Sequence, residues 1–294
     1  MKDRIDHIVK WIKDYANKYN KTTLVIGVSG GIDSAVASTL CAMTGIKVIP
    51  IVMSIKNKDT LALEHAWWLD ENFDNVSRRV INLEKIFHEF ENASNYLGAD
   101  SKLAFANSRS RLRMMMLYQV AQSNNGLVVG TGNKVEDFGV GFYTKYGDGG
   151  VDISPIADCL KTEVWDMAKE LGINQEIIDA PPTDGLWNDG RSDEDQVGLS
   201  YEEIEEAMPR WMKKLGTGMA LAGALGGVGQ SAEAGIGDFF KNRGQETTQQ
   251  QQAPEEGPSE DGKSFTAKAK LGQDMQAAMD SASQTAIDKR QRCR

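Results

Sequence analysis

A chain of 294 residues is long enough for one large domain or two smaller ones with a well-buried core. Its formal net charge of −9, from 42 acidic and 33 basic side chains, argues against broad contact with a phosphate backbone, so no nucleic-acid partner is expected. A local anion site is still compatible with that balance, because a few backbone amides can make one spot positive on an acidic protein. The three cysteines, Cys41, Cys159 and Cys293, lack paired spacing. They make neither a disulfide framework nor a zinc site, which suits a reducing cytoplasm. The opening Met-Lys-Asp-Arg-Ile-Asp-His has no apolar signal core, which argues against export.

Ile5, Ile8, Val9, Ile12 and Tyr15 recur at helical spacing, predicting an amphipathic helix over residues 3 to 19. The β-branched run Leu24 to Val28 predicts a buried strand, followed by a glycine turn and a helix to about Met43. Lys47 to Met53 reads as a second buried strand, residues 59 to 72 as a helix, and Ser77 to Leu83 as a third strand. A long helix follows over residues 101 to 123, then a strand from Gly126 to Gly130. Gly139 to Asp152 is too glycine-rich for a stable helix and too aromatic for a linker, so a ligand-packing loop is expected. A helix over about Lys161 to Leu171 precedes a second irregular segment at 181 to 195, read either as a mobile lid or as a plain surface loop. Strands alternating with helices predict an α/β fold, a doubly wound parallel sheet with helices on both faces.

The turn Ser29-Gly30-Gly31 between strand and helix is the most chemical feature of the chain. Glycines let the backbone approach an anion, and a helix N-terminus directs free N–H groups and partial positive charge at it. The chain lacks Gly-x-x-x-x-Gly-Lys-Ser/Thr, so this is not the common P-loop. A phosphate cradle and an ordinary turn in a nucleotide-free domain both remain open at this point. Thr131 lies at a second strand end, and open α/β sheets bind ligands beyond the carboxyl ends of their strands. Arg109, Arg111 and Arg113, spaced by two, cannot share one helix face, so only part of the set can meet a ligand. Trp67-Trp68 and Met114-Met115-Met116 read as core or interface packing.

The segment Ser-Gly-Gly-Ile-Asp-Ser (29 to 34) resembles the loop of the ATP pyrophosphatases, Rossmann-like enzymes that adenylate a substrate and expel pyrophosphate. Further segments narrow the resemblance: Asn-Ser-Arg-Ser-Arg-Leu-Arg-Met (107 to 114), Gly-Thr-Gly-Asn-Lys-Val-Glu-Asp (130 to 137) and Phe-Tyr-Thr-Lys-Tyr-Gly-Asp-Gly-Gly-Val-Asp-Ile (142 to 153). Ser-Pro-Ile-Ala-Asp-Cys-Leu-Lys (154 to 161), Pro-Pro-Thr-Asp-Gly-Leu-Trp (181 to 187) and Ser-Asp-Glu-Asp-Gln-Val-Gly-Leu-Ser-Tyr-Glu-Glu-Ile (192 to 204) complete the set. In order and spacing these are similar to the ammonia-dependent NAD synthetases over residues 1 to about 207.

The resemblance implies a two-step amidation. The nicotinate carboxylate of deamido-NAD attacks the α-phosphate of ATP, pyrophosphate leaves, and ammonia then displaces AMP. It implies ATP contacts at Gly27, Val28, Ser29, Gly30, Gly31, Ile32, Asp33 and Ser34, and at Thr131, Lys161 and Thr183. Asp33 and Glu136 become Mg2+ ligands, and Arg111, Lys145 and Asp152 contact deamido-NAD. No covalent nucleophile is needed. A homodimer is implied, with the deamido-NAD site at the subunit interface, and free or delivered ammonia serves as the nitrogen source.

Beyond Ala207 the resemblance stops, and residues 208 to 294 read as an atypical, poorly ordered extension. Its His-Lys-Arg type closing motif is missing: the histidines are His7, His65 and His88. Leu215 to Ala232 is rich in Gly and Ala and falls short of the ~20 strongly apolar residues that span a bilayer, so membrane insertion is not expected. Residues 244 to 264 read as disordered and 265 to 291 as a weak helix. Two functions therefore stand side by side: an active amide-forming enzyme, and a nucleotide-binding homologue impaired by its altered C-terminus.

Overall fold

The computed structural model describes residues 1–55, 60–182, 194 and 198–208. Thr183, most of the second irregular segment, Cys293 and the tail from residue 209 lie outside the described residues. The predicted first helix is α1 (Lys2–Lys18), which turns Ile5, Ile8, Ile12 and Ala16 inward. It is followed by β1 (Thr23–Gly27), α2 (Ile32–Met43), β2 (Lys47–Ser54), α3 (Thr60–Asn72) and β3 (Arg79–Asn82). After α4 (Glu84–Tyr96) and α5 (Lys102–Ser123) come β4 (Gly126–Val129) and a π-helical turn, Val135–Val140. Three more helices complete the described chain: α6 (Lys161–Glu170), α7 (Gln175–Asp179) and α8 (Tyr201–Ala207).

The sheet runs β3-β2-β1-β4 with every pairing parallel. An isolated bridge from Val129 to Ile153 extends it beyond β4. Because β2 and β4 lie on opposite sides of β1, the winding reverses between β1 and β4. That reversal opens a crevice at the carboxyl ends of those two strands.

Side-chain alternation along each strand divides the core between two faces. Leu24, Ile26, Leu127 and Val129 pack with Ile12 of α1, Leu40 of α2 and Met167 of α6. Val25 and Val128 pack with Phe87 of α4 and with Met114 and Leu117 of α5. With both faces covered, the central strands can be apolar throughout, as the unbroken run at 24 to 28 suggested. Trp68 and Met114 join these cores as expected, whereas Trp67 and Met115 are exposed. Cys41 and Cys159 are buried free thiols.

The structure adds helices that periodicity did not reveal. In α4 only Phe87 is buried, inside an aromatic cluster with Phe90 and Phe105, so its apolar stripe is a single residue wide. The segment expected to be a loop from Gly139 keeps helical hydrogen bonding to Val140 and turns only at Gly141, whose φ is 74°.

One buried polar contact joins α2 to α3. Ser38 Oγ and His65 Nε2 lie 3.0 Å apart, and the His65 ring stacks on Trp68 at 5.6 Å. Burial holds the His65 pKa down, from 6.5 to about 4, against an opposing hydrogen bond to the Ala35 backbone. The unfolded chain therefore takes up this proton at higher pH than the folded one. Stability present above about pH 6.5 is lost as the pH falls through about 4, by up to roughly 3 kcal/mol. Urea unfolding of the wild type and His65→Gln across that window should give a shallower pH dependence for the variant. Parallel curves would show that another group governs the acid limit.

Candidate active site

The cradle joins the end of β1 to the start of α2 and is tied together by its own serines. Ser29 N–H donates to Ser34 Oγ at 3.1 Å, Gly31 N–H to Ser29 Oγ at 3.2 Å, and Ser34 Oγ to Gly31 O at 2.9 Å. Gly30 has φ +86°, and a Cβ there would come within 2.9 Å of the Ala62 amide nitrogen in α3. Only glycine meets both conditions. Gly31 has no side chain to cap α2, so none of its own atoms occupies the first-turn amides as a capping side chain would. Val28, Gly30, Ile32 and Ser34 are buried, while Ser29 and Gly31 present their backbone to solvent at the crevice.

At the edge of the cradle lies a compact charge array. The Lys161 ammonium, 1% exposed, bonds Asp33 Oδ2 at 2.6 Å and Glu136 Oε1 at 2.9 Å. Each member arrives from a different element: Asp33 from the first turn of α2, Glu136 from the π-helical turn, Lys161 from the first residue of α6. Asn133 braces the array from the loop after β4. Its Nδ2 donates to Asp33 Oδ1 at 2.9 Å, and its Oδ1 accepts from the Val135 and Glu136 amides, both at 3.0 Å. Tyr201 of α8 donates to Glu136 Oε1 at 2.9 Å.

The three charges are balanced by opposing effects. Burial pushes the Asp33 pKa up, more strongly than the Lys161 charge pulls it down. Burial acts on Glu136 in the same direction, but there the Lys161 charge and the bonds from Lys161, Tyr201 and Asn133 prevail and hold it low. Burial would lower the Lys161 pKa, and the two carboxylates reverse that and raise it. Next along the π-helical turn, burial raises the Asp137 carboxyl to about 7, with Glu136, Asp148 and Asp33 adding to the shift.

A second cluster forms where the 141–152 loop meets α5. Arg111 Nε donates to Lys145 O at 3.1 Å, Thr144 Oγ1 donates to Asn107 Oδ1 at 2.7 Å, and Ser110 Oγ bonds the Asp148 carboxylate. Arg111 and Lys145 are thus brought together, both exposed. Asp152 instead faces the sheet edge, where its carboxylate accepts from the Val128 amide at 2.8 Å and from Tyr118 OH at 3.1 Å. The neighbouring arginines are placed elsewhere: Arg113 Nε donates to Met53 O at 3.1 Å, and the Arg109 guanidinium lies 5.7 Å from the Phe87 ring centre. Thr131 is half-buried just past β4, the parallel neighbour of the strand that leads into the cradle. Asn133, Asp137, Tyr201 and Glu205 were not singled out in the sequence. The available signals were the position of Asn133 beyond a strand end and the four-residue spacing of Tyr201 and Glu205.

The NAD synthase family model matches residues 4–219. The NH3-dependent NAD(+) synthetase of Syntrophomonas wolfei is 38% identical over 205 residues, covering 68% of this chain and 81% of its own length. That of Methanocaldococcus jannaschii is 36% identical over 217 residues, covering 72% and 82%. Among solved structures, the NMN synthetase from Francisella tularensis aligns with a TM-score of 0.64 at 34% identity, over 70% of this chain and 84% of that one. The NH3-dependent NAD synthetase from Campylobacter jejuni, 23% identical with a TM-score of 0.56 over 87% and 99%, shares the fold. By a family match over most of its length, the chain belongs to the NAD synthase family.

Proposed function

We propose that this chain makes NAD from deamido-NAD, ATP and ammonia through an adenylated intermediate, as a carbon–nitrogen ligase of the cytoplasm. The observation that carries this reading is the Asp33–Lys161–Glu136 array at the mouth of an anion cradle. In this reading the backbone of Gly27 to Ser34 holds the ATP phosphates, with Thr131, Lys161 and Thr183 as further ATP contacts. Donors fixed before the reaction stabilise charge as it develops on the leaving pyrophosphate. Lys161 is suited to that role because two carboxylates keep its ammonium charged at the edge of the cradle.

Asp33 and Glu136 also fit a magnesium ion. Both offer hard carboxylate oxygens, and the Lys161 ammonium between Asp33 Oδ2 and Glu136 Oε1 would move aside for an ion to take those two atoms. Among the described residues no three His, Cys, Asp or Glu side chains gather for a metal. Magnesium accepts such a sparse set, because phosphate oxygens and water complete its shell. When bound, it would neutralise phosphate charge and polarise the reacting phosphoryl group.

Arg111 and Lys145 would hold the anionic groups of deamido-NAD, with Asp152 fixing the loop that carries Lys145. Residues 1 to 207 form the synthetase domain and work as a homodimer, with residues 208 to 294 as an appendage. No helix among the described residues is long and apolar enough to cross a membrane.

A second reading concerns the acceptor alone. The 34% identical structure is an NMN synthetase, so the acid mononucleotide is the competing substrate. Purified protein with ATP, magnesium and ammonium should form AMP and NAD when given deamido-NAD, with kcat/KM at least tenfold above that for nicotinate mononucleotide. Preference for the mononucleotide would move the assignment, and no AMP with either acceptor would defeat it. Asp33→Asn should lower kcat by about 100-fold or more while circular dichroism stays that of the wild type. A variant with wild-type turnover would remove Asp33 from the chemistry.

A further inference from the structure

Glu136 and Lys161 touch a partner that the chemistry of adenylation does not itself require. Tyr201, the first residue of α8, is 3% exposed and donates to the same Glu136 Oε1 that Lys161 reaches. Its ring lies beside the Lys161 ammonium, with Nζ 4.9 Å from the ring centre, and meets Trp165 edge-on at 5.8 Å. One turn later, Glu205 accepts from the Thr162 amide at 3.0 Å and from Thr162 Oγ1 at 2.8 Å. Thr162 directly follows Lys161 at the start of α6, so Glu205 holds the helical turn from which Lys161 projects. A carboxylate there also sits favourably at a helix N-terminus.

Residues four apart share a helix face. Tyr201 and Glu205 therefore make one two-point grip, on the side chains of the array and on the backbone that carries it. α8 is itself fixed at its start: Ser200 N–H donates to Glu203 Oε2 at 2.8 Å and Glu203 N–H to Ser200 Oγ at 3.2 Å. Packing alone would not select these residues. A phenylalanine could fill the space of Tyr201, but it would not give Glu136 a donor. A buried carboxylate at position 205 is costly unless it holds something, and both of its oxygens are engaged.

We propose that α8 is the positioning element of the adenylating site: Tyr201 fixes Glu136 and Lys161, and Glu205 fixes the start of α6. The proposal rests on the reading of this array as the ATP site. Neither residue touches the reacting atoms; both act through Lys161 and Glu136. Partners that orient a ligating carboxylate typically contribute about 10-fold to 100-fold in metal affinity or activity.

Three variants test this. Tyr201→Phe keeps the ring and loses the donor, Glu205→Gln weakens the grip on Thr162, and Glu202→Gln neutralises an exposed carboxylate on the same helix. Calorimetric titration with ATP and magnesium should show affinity reduced about tenfold in Tyr201→Phe and less in Glu205→Gln. Glu202→Gln should stay within about twofold. The double variant Tyr201→Phe/Glu205→Gln should lose less than the product of the single losses, since both act on one array. KM for deamido-NAD should stay within about twofold, and melting temperatures should stay near wild type. NMR relaxation of the Lys161 ε-methylene in the nucleotide-free protein should show greater mobility in Tyr201→Phe. Unchanged ATP affinity with an unchanged Lys161 signal would overturn the proposal, as would equal losses in Glu202→Gln. Failure of the ATP reading gives a different result: a wild type that binds no ATP, with the NMR comparison still deciding whether Tyr201 fixes Lys161.

Discussion

The site depends on one buried ammonium. Lys161 is 1% exposed, and such a charge is tolerable only if its desolvation is offset by close opposite charge and hydrogen bonds. Two carboxylates supply the charge, and each of them is braced in turn: Asp33 by Asn133, Glu136 by Tyr201. Removing any member would leave its partners buried with their charges less well matched. The array therefore behaves as a unit, which explains why elements as distant in sequence as α2, the π-helical turn, α6 and α8 are drawn to one place.

That place is set by topology. The parallel order β3-β2-β1-β4 reverses direction of winding at β1, and only there do two strand ends diverge to leave a crevice. The cradle follows one of these strands and the Thr131-Gly132-Asn133 turn follows the other. Gly30 fits the first turn tightly against α3, so the cradle is shaped from outside as well as by its own serine bonds. An acidic chain can thus present a locally anion-attracting turn, because backbone amides act at a few ångströms while most surface charge is screened beyond about 10 Å.

Much of this was legible in the sequence, for identifiable reasons. Buried parallel strands are apolar throughout, so 24 to 28 and 47 to 53 declared themselves, as did the glycine turn between strand and helix. Asp33, Glu136 and Lys161 could be named from their motifs. Their mutual contact could not, because pairs separated by 128 and 25 positions carry no local signal of proximity. α4 escaped because it buries one side chain, and α8 because seven residues are too few for a period to show. Tyr201 is informative only once its hydroxyl is seen to point at a carboxylate.

The two clusters also come from opposite sides of one sheet. The Asp33–Lys161–Glu136 array hangs on α2 and α6, which pack on the face built from Leu24, Ile26 and Leu127. The Arg111–Lys145 cluster hangs on α5, which packs on the face built from Val25 and Val128. A reaction joining two bulky nucleotides needs both held with their reacting atoms adjacent and their remaining parts apart. Helices on opposite faces of one sheet keep the two clusters on separate elements. The arginine spacing serves the same arrangement. Side chains two apart point in different directions, so Arg109 packs against Phe87 while Arg113 ties α5 to β2. Arg111 is left to meet the loop. One helix thereby anchors itself twice and turns a single arginine to the 141–152 loop, a placement that three arginines on one face could not achieve.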